Sequence, residues 1–355
     1  MSYISNVENC PYFFSDEPED ETKALYMCNL MIGLESYTFA ILESQPYLSL
    51  FCFIINILHI TILTRKSMRS SSINLIMAFV AFSDILSLLY SMQTKIMIIY
   101  SKSLECPNSI SYFRKFSDNF FDSVNFTSRR FSTWFSLSIA VIRTLVIRNP
   151  LNPEIGNLSK PTSSLYCFLL VSFICWPISI FGFFKYKIET PYSSACEGNN
   201  MTYPIYQTGY SKFFVKNDYQ MFQLYNLINP IFSNFTPCLL FPIFTVLLIM
   251  ELRKNDKNRA KITGKSENTS SKNKTRMILC LTITFFIAEF PFGVARFVKI
   301  FYDPDSSIVK IINDVMYLLS LLVSVNTSSH LIICYFMSSQ YRDTLKSMVR
   351  RTPKT

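Results

Sequence analysis

Glycine is scarce, with seven in 355 residues. A phosphate-binding loop needs several glycines within a few positions, so nucleotide folds of that kind are excluded. The nearest approach, Thr263-Gly264-Lys265-Ser266, has Arg259 where the loop's first glycine belongs. The two histidines, His59 and His330, stand apart with no metal-ligand spacing. Paired aspartates, an HExxH stretch and a serine–histidine arrangement are all missing, which argues against an enzyme. Charge is thin as well: 16% of residues are charged, where a soluble domain has about 25%. No internal repeat is visible, which counts against transporter folds. Residues 1–37 are polar and acidic and lack the apolar core of a secretory signal, so the first helix is expected to insert as a reverse anchor.

Long hydrophobic runs are present in abundance. Half of the residues are hydrophobic and 15% aromatic. Seven blocks reach the roughly 20 residues that cross a hydrocarbon core of about 30 Å: 38–64, 73–99, 114–147, 163–187, 219–251, 274–302 and 308–336. The expected fold is therefore an all-α membrane protein, a seven-transmembrane helix bundle. Prolines within the blocks (Pro46, Pro177, Pro237, Pro242, Pro291) read as tolerated kinks. A short basic amphipathic segment, 338–351, suits an eighth helix lying on the membrane surface. The expected division is an acidic segment at 1–37, the helix bundle at 38–337, and the amphipathic helix with a short tail at 338–355.

Lysine and arginine set the orientation. They concentrate in the turn at 65–69, the loop at 253–276 and the C-terminal tail, all on one side of a seven-span chain. The N-terminal segment carries Glu8, Asp16, Glu17, Glu19, Asp20 and Glu21 against Lys23. The positive-inside rule then puts the N-terminus outside the cell and the C-terminus inside, as in a multi-pass plasma-membrane protein. The same rule accounts for the basic stretches as anchors, so no nucleic-acid partner is expected.

Six cysteines fall inside the apolar blocks and read as buried thiols; Cys10, Cys28, Cys106 and Cys196 fall in the outer, oxidising space. Four cysteines allow three pairings. The expected one joins Cys106 to Cys196 and Cys10 to Cys28. Asn200 opens a glycosylation sequon on the same outer loop.

Ionisable residues within the blocks are expensive and are candidates for function. Asp84, Arg129, Arg130, Arg143 and Glu289 stand out. Arg143 lies near the inner end of the third block, and a helix-end arginine can also simply snorkel to the interface. Arg129 lies 14 residues earlier, about 21 Å along the axis and on nearly the same face. Asn125 and Ser132 share that face, while Arg130 is turned about 100° away. Glu289 is expected at a similar depth in the sixth block, with Arg296 one heptad on. Arg129 and Glu289 are expected to pair, either as the floor of a ligand pocket or as a structural lock between helices three and six. Gln93, Lys95, Asp122, Lys299 and Asp314 could line the same cavity, though each also reads as a solvated rim residue.

The order and spacing of several stretches match something known. ILTRKSMRSSSINLIMAFVAFSDIL (62–86), RRFSTWFSLSIAVIRTLVIRNPLNP (129–153), NLSKP (157–161), AEFPFG (288–293) and NTSSHLIICYFMSSQYR (326–342) resemble the rhodopsin-like G-protein-coupled receptors. They are closer still to the nematode serpentine receptor class W, which is similar to receptors for FMRFamide-type neuropeptides. The resemblance covers residues 45–345. It implies that Arg143 and Pro150 meet a heterotrimeric G protein, that Pro291 hinges the sixth helix, and that Asn56, Asp84 and Tyr341 hold conserved structural positions. It implies no cofactor beyond a sodium ion as allosteric modulator, held by Asp84, Ser132 and Asn326; a carboxylate with oxygen donors suits such a hard cation.

The departures from the pattern are specific. Ile142 replaces the aspartate before Arg143, the segment His330 to Cys334 replaces the seventh helix's NPxxY, and Glu289 replaces the sixth helix's tryptophan. Asp118 stands where a cysteine usually tops helix three, and Asn125 where receptors for monoamines carry an aspartate. The expected function is a receptor for a peptide ligand, bound around Arg129, Glu289, Arg296, Asn125, Asp122, Gln93, Lys95 and Asp314. The acidic N-terminal segment would favour a basic peptide. A chemosensory receptor for a small molecule is the nearest alternative, and a ligand-gated channel or transporter is the alternative of another class.

Overall fold

The computed structural model describes residues 21–104, 106, 109–149, 151–196, 199–216, 219–263, 269–302 and 306–350. Helices α1 (Glu21–Leu63), α2 (Ser72–Lys102) and α3 (Tyr112–Arg148) are followed by the short α4 (Pro153–Asn157) and by α5 (Pro161–Phe184). Then come strands β1 (Tyr186–Ile188), β2 (Tyr192–Cys196), β3 (Asn199–Ile205) and β4 (Thr208–Tyr210), and the short α6 (Lys212–Val215). Helix α7 (Gln220–Pro230) runs through a π-helical stretch, Ile231–Phe235, into α8 (Thr236–Thr263). Helices α9 (Thr269–Val298), α10 (Ser307–Met337) and α11 (Ser339–Val349) complete the chain. Among the described residues seven helices are long and apolar enough to cross a membrane, with α7, the π stretch and α8 together forming the fifth.

The helix starts follow local chemistry. The Ser111 hydroxyl accepts from the Arg114 amide at 3.2 Å and opens α3. Asn152 does the same for α4, with Pro153 at the first helical position, where a missing N–H costs nothing. Ser306 caps α10 and Ser338 caps α11. Helix α1 begins at Glu21, well before the expected start at 38. Its first turns hold good helix formers and no proline until Pro46, and the exposed Glu43 does not interrupt it. The acidic segment expected at 1–37 is therefore partly helix; residues 1–20 lie outside the described residues.

The strands were not anticipated. They form nested antiparallel pairs, β1 with β4 and β2 with β3, so that 186–210 is one long hairpin between the fourth and fifth spans. Its middle, between the two strand pairs, docks on the segment ahead of α3, where the Tyr206 amide donates to the Ile110 carbonyl at 3.0 Å.

Packing follows membrane rules, in which lipid tails are as apolar as leucine and close contact supplies the gain. Phe135, Phe131, Ile76, Val80, Val171 and Cys175 knit α2, α3 and α5 together. Leu137 and Ala140 of α3 meet Cys238, Phe241 and Phe285 from the fifth and sixth spans. Tyr166 and Phe173 of α5 stay exposed, as lipid-facing residues do. Helix α11 is anchored by the buried Tyr341, whose hydroxyl lies 2.8 Å from His59 Nδ1.

Helix α9 comes unusually close to the fifth span. A Cβ at Gly293 would lie 2.8 Å from the Asn234 Cβ, so only glycine fits there. Gly293→Val is expected to destabilise the purified protein by about 1–3 kcal/mol. Gly156→Ala, which meets nothing within 4 Å, serves as the neutral control. Thermal unfolding in detergent measures both, and equal melting temperatures for the two variants would contradict the close approach.

Candidate functional site

Helix α3 carries Arg129 and Arg130 in succession, and the structure gives them opposite surroundings. Arg129 Nη2 lies 3.2 Å from Glu289 Oε2 on α9. The Asn234 amide donates to the same oxygen at 3.3 Å. The Phe292 ring lies 4.2 Å from the Arg129 guanidinium carbon. Arg130 is 2% exposed. Its Nε donates to the Ser233 hydroxyl at 2.8 Å, Nη1 to the Ser179 hydroxyl at 2.5 Å and Nη2 to the Asn229 carbonyl oxygen at 2.7 Å.

The π stretch makes this double service possible. The Thr236 amide reaches back five residues to the Ile231 carbonyl. A wider turn means less rotation per residue than the 100° of an α-helix. The neighbours Ser233 and Asn234 can therefore both face the bundle, one toward Arg130 and one toward Glu289. Pro230 leads into the stretch, and Asn229 before it receives the Ser233 hydroxyl at 2.9 Å.

Beside this network lies a cavity of about 970 Å³, enclosed by the third to seventh spans and the base of the hairpin. Its charged lining is Asp122, Arg130, Lys185, Arg296 and Lys299. Lys185, just past the end of α5, points into rings: its Nζ lies 4.8–5.7 Å from the centroids of Tyr186, Tyr210, Phe222 and Tyr225. Burial, then Arg296 and Lys299 nearby, push this ammonium down from 10.5 to about 8, against the pull of Asp122. Arg296 lies over the Phe126 ring at 4.5 Å.

Of the residues expected around a ligand, Asp122 and Arg296 line the cavity. Arg129 and Glu289 come together but are absent from its lining, because they face the junction of α3, α9 and the π stretch. The other four are absent from its lining and have partners of their own. Gln93 is buried between α2 and α3, donating to Ser117 and Asp118. Lys95 sits over Tyr47 at 5.5 Å. Asn125 donates to the Ser87 carbonyl at 2.9 Å. Asp314 is buried near Thr38 of α1. Lys185 and the Asn229–Ser233 pair were missed. Their signals were a lysine ending an apolar run and an Asn-Pro within one.

Toward the α11 end, the Ser132 hydroxyl donates to Asp84 Oδ1 at 2.6 Å, while the buried Asp84 Oδ2 has no hydrogen-bond partner. Asn326 accepts from Ser329 at 3.3 Å; among the described residues no hydrogen bond joins it to Asp84. Asn56 donates to the Cys52 carbonyl and to Thr327. Among the described residues no cluster of three His, Cys, Asp or Glu stands ready for a metal ion. Arg143 Nε is buried without a hydrogen-bond partner. Pro291 lies inside α9, two residues after Glu289. Pro150 and Cys10 fall outside the described residues, as do the side chains of Cys196 and Asn200. Cys28 and Cys106 are each disulfide-bonded.

Seven spans, an amphipathic α11 and a cavity inside the bundle describe a receptor-like architecture, and the family comparison decides it. The sequence profile of the serpentine type 7TM GPCR chemoreceptor Srw family matches residues 43–352. The chain belongs to that family. No curated protein matches it. As an Srw chemoreceptor it is a multi-pass G-protein-coupled receptor, a member of a receptor family and not of an enzyme family.

Two outcomes follow for the receptor's arginine network and cage. Arg129→Glu and Glu289→Arg singly each leave a buried charge unpaired and should cost about 3–5 kcal/mol. The double exchange should recover part of the loss in surface expression, and no recovery would count against the pair. Lys185 leaves its proton at lower pH when folded than when unfolded. Below about 8 both states are protonated and the cost of the buried charge is present in full. Between about 8 and 10.5 the unfolded chain binds more protons, so stability rises with pH. Thermal scans across this window should show the rise, and Lys185→Met should flatten it.

Proposed function

We propose that this receptor holds its ligand in the 970 Å³ cavity, with the hairpin end outside the cell, and passes the signal to a heterotrimeric G protein at the α11 end, the lipid bilayer enclosing the spans between. The observation that carries the reading is that Arg296 of the cavity and Glu289 of the buried ion pair share α9, on either side of Pro291. A ligand that moves Arg296 pulls on the helix beyond Pro291, and the Arg129–Glu289 bridge is the contact strained by that motion. A ligand acts by favouring one of two helix arrangements over the other.

Arg143 is the coupling residue in this reading. It has no aspartate beside it, since Ile142 stands there, and its Nε has no hydrogen-bond partner. Around it, contacts pin α3 to α8: Thr144 donates to the Phe244 carbonyl at 3.1 Å and Asn255 to the Ile147 carbonyl at 3.1 Å. The hydroxyls of Thr245 and Thr282 lie 2.9 Å apart and join α8 to α9. Release of α9 would open a path from Arg143 to the G protein. Asp84 and Ser132 fit a sodium ion, because a buried carboxylate oxygen without a partner suits a hard cation. A bound ion would neutralise Asp84.

The ligand class we favour is a peptide, one end of which enters the cavity while the strands of the hairpin hold the remainder. The cavity lies within the roughly 300–1,000 Å³ range of small-molecule pockets, so a small chemosensory ligand is the second reading, and the family's description as chemoreceptors favours it.

Peptide and small-molecule libraries, screened on cells carrying a promiscuous G protein, test the proposal. Arg143→Ala should weaken the response roughly ten-fold or more at unchanged surface expression. Ser123→Phe, which projects a ring from the cavity wall, should weaken it. A response that survives Arg143→Ala undiminished would remove the coupling role.

A further inference from the structure

Four cationic side chains and one carboxylate line the cavity. The direct hydrogen-bond and ring partners of each cation are neutral, and Asp122 acts on Lys185 and Arg296 only through its field. Arg130 donates to two hydroxyls and an amide oxygen. Lys185 reaches the Asn226 amide oxygen at 3.4 Å from within its cage of rings. Lys299 donates to the Asn313 amide oxygen at 2.8 Å. Arg296 lies against the faces of Phe126 and Phe292.

Among the described residues none of the four forms an ion pair, whereas Arg129 and Arg148, outside the cavity lining, pair with Glu289 and Glu251. The chain thus neutralises an arginine where the bundle needs locking and sets one carboxylate, Asp122, against four cations in the cavity. Amide oxygens and ring faces solvate a cation without cancelling its charge, and buried like charges repel. The lowered basicity of Lys185 comes first from burial, and Arg296 and Lys299 add to it.

We infer that the cavity is an organic-anion site. It takes a ligand with a carboxylate set among Arg296, Lys185 and Lys299, and an aromatic or apolar body against Phe126, Tyr210 and Phe222. The carboxylate has two sources, a free small acid or the C-terminus of a peptide. The charge requirement is the reverse of the basic peptide that the acidic N-terminal segment suggested. The inference rests on the reading of this cavity as the receptor's ligand site, but its binding step involves no G protein.

The full chain, purified into nanodiscs, is heated with matched probes. They are 3-phenylpropionate, its amide and 3-phenylpropylamine, and acetyl-Gly-Phe as the free acid and as the amide. At least one acid should raise the melting temperature, and the amides and the amine should not. Stabilisation by 3-phenylpropionate alone assigns a free organic acid; stabilisation by the peptide acid alone assigns a C-terminus. Arg296→Gln should weaken acid binding roughly ten-fold and raise the melting temperature of the unliganded protein by removing a like charge. Where that variant folds poorly, Lys299→Gln gives the same readout. Binding should also weaken from about pH 7 to about pH 9 as Lys185 loses its proton. Equal stabilisation by amide or amine, no stabilisation by either acid, or acid binding that ignores both substitutions overturns the inference. Acid binding with an unaltered Arg143→Ala response would instead leave the anion site standing and sink the coupling role.

Discussion

A hydrocarbon surround offers a charged side chain no water, and α3 carries two arginines in succession near its middle. Their side chains leave the helix about 100° apart, so a single partner cannot serve both. The bundle answers with two different solutions. Arg129 is neutralised by Glu289 of α9, and Arg130 is solvated by hydroxyls and an amide from α5 and the fifth span. Both solutions draw on the π stretch, which presents Ser233 to one arginine and Asn234 to the other's partner. The close approach of α9 at Gly293 follows from the same junction. Third, fifth and sixth spans are thereby fixed relative to one another by polar contacts that lipid cannot replace.

The unequal treatment of the two arginines shapes the cavity. A cation solvated by neutral groups keeps its field, so the wall formed by Arg130 remains positive. Lys185, Arg296 and Lys299 add to it, and Asp122 offsets it only in part. Where the chain uses a carboxylate it gains a lock; where it uses amides and rings it gains a charged recess. Pro291 lies between the lock and the cavity on one helix, which joins recognition to motion without a separate relay.

Much of this was legible in one dimension. Hydropathy and length gave the seven spans, because crossing a bilayer requires a run of apolar residues whatever the fold around it. The short basic segment gave α11 nearly to the residue, observed at Ser339–Val349. The stretches around Arg129, Arg143 and Glu289 gave the family. Depth was legible too: rise per residue brought Arg129 and Glu289 to one level. Rotation was less so. Gln93, Lys95, Asn125 and Asp314 lie toward the same end as the cavity but turn toward neighbouring helices. The hairpin at 186–210 escaped because a polar stretch outside the membrane has no hydropathy signal to mark it; the early start of α1 escaped because the acidic residues up to Glu21 drew attention from the apolar run that follows them.

Alone, the sequence determined the number of crossings and the family, since these depend on composition and spacing along the chain. Only the tertiary structure decided which arginine is neutralised and which faces the cavity. That choice depends on the lateral order of the helices and on a π turn in the fifth span. It also needed the fold to bring Lys185, Arg296 and Lys299 around one space, because they come from segments that meet only when the bundle closes.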